Sequence, residues 1–237
     1  MESNIYTHTV KGQDVYIIPP EGKHTETVVF LHGLGDSATG GWLQVFTSKS
    51  MSPLLSTTKV VMLTAPVAPV TITFGMKMTS WYDIKGFPTS VQDFDKSICL
   101  KEVEKSTERI RAVLKEEIEI LKDDSKRVFL MGFSQGCALA LHAGLGYEKT
   151  LGGIAGWSGF YFPVTKTHKE NENTPLFIAN GLDDMTVPFM IADLSFKFLD
   201  MDKHKTIRIK EPGCGHIIND NIGKETAKWF KDLVEQK

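Results

Sequence analysis

Ser134 sits in Gly132-Phe133-Ser134-Gln135-Gly136, directly after the apolar run 127–131 and before the small-residue stretch Cys137-Ala138-Leu139-Ala140-Leu141. A G-x-S-x-G pattern between a strand and a helix makes a sharp turn that lifts the serine hydroxyl above a sheet, and its glycines let strand and helix approach closely. A serine hydroxyl is a weak nucleophile at neutral pH and needs a histidine base, itself oriented by a carboxylate. Both lie downstream. Asp183 and Asp184 follow the apolar run 176–179, and His216 ends the loop Glu211-Pro212-Gly213-Cys214-Gly215-His216 after the run 206–210. Serine, acid, histidine is the chain order that such elbow sites use.

The other six histidines, His8, His24, His32, His142, His168 and His204, offer no comparable loop after a strand downstream of Ser134. Adjacent acids in a turn point apart, so only one of Asp183 and Asp184 meets the Nδ1–H of His216. Thr186-Val187-Pro188 reads as the entry to a helix with Pro188 in its first turn. An acid two residues before Thr186 can turn back toward the histidine, which selects Asp184 and leaves Asp183 to the N–H groups of its own turn. Attack on an acyl carbonyl develops an oxyanion, which two preorganised N–H groups would stabilise. The loop Leu31-His32-Gly33-Leu34-Gly35-Asp36 follows the first long apolar run, so Leu34 N–H and Gln135 N–H are the expected donors, with His32 structural.

Two other chemistries fail on spacing. Gly33-x-Gly35-x-x-Ala38 resembles a dinucleotide-binding turn, but that fold needs an acid about 20 residues on to hold the ribose, and residues 37–80 contain none. No two histidines lie within five residues of each other and no H-E-x-x-H occurs, so no metal or other cofactor is expected.

These groups need a frame that brings them to one edge. Short apolar runs at 15–18, 27–31, 59–64, 127–131, 153–157, 176–179 and 206–210 alternate with helical patterns, the signature of an α/β fold with a mostly parallel central sheet covered by helices on both faces. The clearest helix spans 97–122, where Leu100, Val103, Ile110, Leu114 and Leu121 form an apolar stripe. Further helices are expected at 135–146, 189–201 and 221–234. Catalytic groups in open parallel sheets gather at the carboxyl edge of the strands, where the three loops above emerge. Residues 67–78 show no period and read as an apolar surface loop. Phe74, Met76 and Met78 within it, with Trp81 beside it, are the expected lining of a channel for an alkyl chain, because flexible methionines suit an extended, disordered ligand.

Composition narrows the partners. The 237 residues are 41% apolar and 24% charged, enough for a single domain spanning 1–237 with one large core. Twenty-seven Lys and Arg against 29 Asp and Glu leave a net charge of −2, too balanced to hold nucleic acid by field alone. Three cysteines, Cys99, Cys137 and Cys214, are odd in number and widely spaced, which fits a reducing, cytoplasmic compartment. Residues 1–13 lack the apolar core of a leader. The longest uninterrupted apolar run, 137–141, has five residues, far short of a membrane span.

The elbow Gly-Phe-Ser-Gln-Gly, the Leu-His-Gly-Leu-Gly-Asp loop, the segment from Ala65-Pro66 to Gly75-Met76-Lys77-Met78, and Ser80-Trp81-Tyr82-Asp83-Ile84 together resemble the acyl-protein thioesterase and small carboxylesterase (lysophospholipase-like) family, in matching order from about Val28 to Phe230. The resemblance implies an α/β-hydrolase without a large lid domain. It also implies hydrolysis of thioesters or esters, with S-palmitoyl groups on proteins as the leading substrate and lysophospholipids as a related one. By position Ser134, Asp184 and His216 match the family's triad, and Leu34 and Gln135 its oxyanion donors. The departures are Asn180, where a His-Gly pair commonly opens the acid loop, Cys137 in place of a further glycine after the elbow, and Gly40-Gly41 in a slightly enlarged loop. No cysteine near the N-terminus offers an acceptor for self-acylation, so contact with a membrane would be transient. A different class, a binding module that holds an acyl chain without turning it over, would not need the full set of nucleophile, base, acid and oxyanion donors.

Overall fold

The computed structural model describes residues 6–10, 13–86, 88, 93–201 and 203–236. Part of the N-terminal segment expected to lack a leader, residues 1–5, 11 and 12, lies outside them. Strand β1 (Tyr6–Val10) was not expected from sequence; it pairs antiparallel with β2 (Gln13–Ile18). Its Tyr, Thr and Val residues favour extended backbone, but five residues with no apolar run give little signal.

The frame follows as β3 (Glu26–Leu31), α1 (Trp42–Phe46), β4 (Thr58–Leu63), β5 (Val67–Val70), β6 (Met76–Thr79), α2 (Phe94–Ser97) and α3 (Leu100–Ile120). The second half continues with β7 (Val128–Phe133), α4 (Gln135–Leu145), β8 (Gly153–Trp157), β9 (Leu176–Gly181), α5 (Phe189–Phe196), β10 (Ile207–Glu211) and α6 (Asp220–Glu235). Eight strands form one sheet in the order β1-β2-β4-β3-β7-β8-β9-β10. From β4 to β10 every neighbour is parallel.

Period-two alternation within continuous apolar runs divides the core between the two faces of the sheet. Val29 and Leu31 of β3 join Leu130, Ile154 and Ile178 on the side covered by α3, α4 and α5. Val28 and Phe30 join Phe129, Trp157 and Phe177 on the side closed by Trp42 and Phe46 of α1 and Trp229 and Phe230 of α6. Each such side chain stabilises the fold by roughly 1.5–3 kcal/mol on burial, so a one-residue slip of any central strand would forfeit several at once.

Two expected helices end earlier than their patterns. Helix α3 buries Val103, Ile110 and Leu114 of the expected stripe, but Leu100 is exposed and Leu121 stands one residue past its end; the expected start at 97 falls in α2, and Ile98 between them is extended, at φ −132°. Helix α5 stops at Phe196 because the next N–H groups of Lys197, Phe198 and Leu199 reach back three residues, to Leu194, Ser195 and Phe196, tightening the tail out of α geometry. The segment 67–78, expected as an irregular loop, is an antiparallel hairpin of β5 and β6 standing apart from the main sheet. Asp83 fixes its turn: Thr71 N–H and Oγ1–H each donate to the carboxylate, at 2.7 Å. Phe74 and Gly75 then reverse the chain at φ 57° and 79°. The pattern was illegible because Pro69 and the turn interrupt the alternation.

Candidate active site

Ser134 ends the connection from β7 and caps α4 with φ 54° and ψ −117°, a backbone state that a non-glycine residue adopts only when its surroundings hold it. Ser134 N–H donates to Trp157 O on β8 at 2.8 Å, fixing the turn to the neighbouring strand. The flanking glycines are required by space. A Cβ on Gly132 would stand 2.2 Å from Gly136 O, and one on Gly136 would stand 2.3 Å from Leu31 O. Behind the elbow, Cys137 Sγ fills the space beside Gly156, where an added Cβ would lie 2.5 Å from the sulfur. Burial pushes the Cys137 thiol up to about 12, so it stays protonated and inert.

The three sequence-predicted groups meet at the carboxyl edge of the sheet. His216 Nδ1–H donates to Asp184 Oδ2 at 2.7 Å, which leaves Nε2 to accept from the Ser134 hydroxyl at 3.0 Å. Asp184 is 3% exposed, and its second oxygen accepts from Thr186 N–H at 2.9 Å and Val187 N–H at 2.8 Å. The turn N–H groups assigned to Asp183 from sequence are therefore taken by Asp184, while Asp183 points to solvent. The correction has a simple cause: one carboxylate has two oxygens, and Asp184 uses one for the turn and one for the imidazole. Asp183 N–H donates to Cys214 O at 3.0 Å, tying the acid loop to the histidine loop through backbone alone. The Phe133 ring lies 4.8 Å from that of His216.

Opposite stands the loop after β3. Fully buried His32 donates from Nδ1 to Gly33 O at 2.6 Å and accepts Ala65 N–H on Nε2 at 2.9 Å. Burial holds its pKa below the usual value, so it acts as a neutral strut for the loop. Leu34 and Gln135 line the same cavity as Ser134 and His216, and the Gln135 N–H opens the eleven-residue helix α4, whose N-terminal dipole favours negative charge.

That cavity measures about 420 Å³ and its lining is mostly apolar. Ile72 and Thr73 come from the hairpin turn, Ile84 from the segment after it, Phe94 and Ile98 from α2 and its exit, Phe160 from the loop after β8, and Val187 and Ile191 from the acid loop and α5. None of the four residues expected to line it does so. Phe74 is 99% exposed and Met76 59% exposed on the outside of the hairpin. Met78 lies against the loop after β3, its sulfur 3.6 Å from where a Cβ of Gly35 would stand. Trp81 is 2% exposed and donates from Nε1 to His32 O at 2.8 Å. The lining comes from separate short segments with no shared period, so no sequence signal joined them.

A family model described as Phospholipase/Carboxylesterase matches residues 13–224, from β2 to the start of α6. The chain belongs to that family. Membership makes it a serine hydrolase of acyl esters or thioesters with the α/β-hydrolase fold. It is 36% identical over 233 residues to acyl-protein thioesterase 1 of Yarrowia lipolytica, covering 92% of this chain and 96% of the relative. It is 32% identical to a probable carboxylesterase SOBER1-like of Arabidopsis thaliana, covering 88% of this chain and 79% of that protein. The crystal structure of Arabidopsis thaliana SOBER1 superposes with a TM-score of 0.74 at 32% identity, over 88% of this chain and 99% of that one.

Proposed function

We propose that the protein removes acyl groups from S-acylated cysteines of other proteins, with Ser134, His216 and Asp184 as its catalytic triad. The observation that carries this reading is the hydrogen-bonded relay Asp184–His216–Ser134, with Ser134 and His216 lining a mostly apolar cavity. Ser134 Oγ attacks the acyl carbonyl while His216 Nε2 takes its proton; His216 then returns the proton to the departing thiolate, and water repeats the sequence to release the acid. Asp184 holds the imidazole in the tautomer that leaves Nε2 free. The N–H groups of Leu34 and Gln135 stabilise the oxyanion, and the acyl chain lies among Ile72, Ile98 and Ile191.

The likeness to acyl-protein thioesterase 1 supports a thioester, whereas the likeness to SOBER1 supports a second reading, a broader carboxylesterase or lysophospholipase acting on oxygen esters. A thiolate leaves with less protonation than an alkoxide, so matched thioester and ester pairs of one acyl length separate the two. The exposed Phe74, Met76 and Val67 of the hairpin fit transient contact with a lipid surface where acylated proteins reside. Among the described residues no helix is long and apolar enough to cross a membrane. The free thiols of Cys99, Cys137 and Cys214 fit a cytoplasmic site of action.

Fluorophosphonate labelling tests the mechanism. Native protein should label at Ser134 and lose labelling on boiling or in Ser134→Ala. An unlabelled, folded protein that still binds fatty acid would instead be an acyl-binding module.

A further inference from the structure

Gln135 gives its backbone N–H to the reacting centre, but its buried side chain turns the other way and makes three hydrogen bonds to consecutive residues. Its Nε2 donates to Ser80 Oγ at 3.1 Å and to Tyr82 O at 2.7 Å, and its Oε1 accepts Trp81 N–H at 2.9 Å. Trp81 reaches onward, donating from its indole to the carbonyl of His32, two residues before Leu34. Just ahead, Thr79 O accepts Gly35 N–H at 2.8 Å and the Thr79 hydroxyl donates to Asp36 O at 2.5 Å. Residues 79–82 thus bond the loop on both sides of Leu34 and, through one amide, the elbow residue Gln135. The stretch is itself held from outside: Ser106 Oγ on α3 donates to Trp81 O at 2.6 Å, and the Arg109 guanidinium lies 5.7 Å over the indole.

We propose that Trp81 and the Gln135 side chain are positioning residues, a strut that sets the spacing between the Leu34 and Gln135 N–H groups. The inference rests on reading those two groups as the oxyanion donors. The loop and the elbow leave the paired strands β3 and β7, whose register ends at Leu31 and Gly132, and beyond that point residues 79–82 bond to both. An oxyanion site depends steeply on such spacing, because its donors must already point where charge develops; displacement of a reacting geometry by about 1 Å can cost on the order of 100-fold in rate. Acyl-chain binding depends on it less, since Trp81 does not line the cavity and the Gln135 amide is spent on residues 80–82.

Gln135→Met removes all three amide bonds at similar volume, and Trp81→Phe keeps those three while removing the bond to His32 O and part of the buried ring under Arg109. Each is assayed against an acyl thioester, for inhibition by the matching acyl trifluoromethyl ketone, which forms a tetrahedral adduct with serine, and for binding of the free fatty acid. For Gln135→Met kcat should fall about 10- to 100-fold with KM within about threefold, and ketone affinity should weaken in step while fatty-acid affinity holds. Trp81→Phe should show the same split at about three- to tenfold, and it carries the test if Gln135→Met does not fold. Wild-type kcat in folded variants, or a loss in kcat without a parallel loss in ketone affinity, overturns the proposal. Turnover retained in Ser134→Ala would instead overturn the underlying reading of the site.

Discussion

The elbow and the β5–β6 hairpin both border the cavity, yet they are built on opposite terms. At the elbow Ser134 is 8% exposed, its backbone strained and its N–H, Oγ and neighbours all bonded. The hairpin's strands pair only with each other, joined to the loop after β3 at Thr79, and they present Phe74, Met76 and Val67 to solvent. The contrast teaches that bond-making steps demand fixed distances, whereas holding an alkyl chain or brushing a lipid surface demands apolar area without register. Substitutions at the first should be lethal to rate, and substitutions at the second should change only which substrates are used.

The strongest test of that division is Ser134→Ala, expected to lower kcat by on the order of 10⁴- to 10⁶-fold in steady-state assays with an unchanged melting temperature. Asp184→Asn comes next, with a loss of roughly 10³- to 10⁴-fold, because the imidazole loses its fixed tautomer. Asp183→Asn should stay within about threefold, since that side chain points to solvent. A reversed order in purified, equally stable variants would move the triad acid by one residue.

On the acyl side the effects shrink. A charge in the cavity wall, Ile191→Asp, should cut kcat/KM for an octanoyl thioester by about tenfold or more while sparing the acetyl thioester, since each buried methylene is worth about 0.8 kcal/mol. Equal losses on both would mean that Ile191 touches the reacting end. Phe74→Ser with Met76→Ser should leave turnover of a soluble substrate unchanged and slow only a substrate displayed on vesicles, by an order of magnitude at most. Loss on the soluble substrate would show the hairpin to be part of the catalytic frame.

The smallest effect is on stability. Burial lowers the pKa of His24, His32, His142 and His204 in the folded state. The unfolded chain therefore binds protons first as pH falls, so stability is complete above about pH 6.5 and declines below it toward the lowered folded-state values. Melting temperatures across pH 5–8 should fall on the acid side, and His32→Asn should flatten the decline while lowering the plateau.

Sequence resolved the two regions as unequally as the structure builds them. The strands 27–31, 59–64, 127–131, 153–157 and 176–179 were legible because burial on both faces writes them as apolar runs, 206–210 by its alternation at a half-exposed edge, and Ser134, Asp184 and His216 because elbow, acid loop and histidine loop each follow such a strand. The Asp184 choice stood on turn geometry, although the turn bonds belong to the same residue and not to Asp183. The acyl lining was not legible. Trp81 looked like a lining aromatic because burial inside a polar network and exposure to an apolar ligand leave the same letter in the sequence. Ile72, Phe94, Phe160 and Ile191 converge only through tertiary folding, from four segments with unrelated patterns.

The contact between Cys137 and Gly156 has an evolutionary reading. Helix α4 and strand β8 share one methyl-sized space, and in this chain the helix owns it. The two positions should then drift as a pair in descendants. Gly156→Ala alone collides with the sulfur, but the Cβ atoms themselves would stand 3.7 Å apart, an ordinary contact. Cys137→Ala thus opens the space that Gly156→Ala refills, a void in place of the steric collision that a lineage taking those steps in the opposite order would first meet.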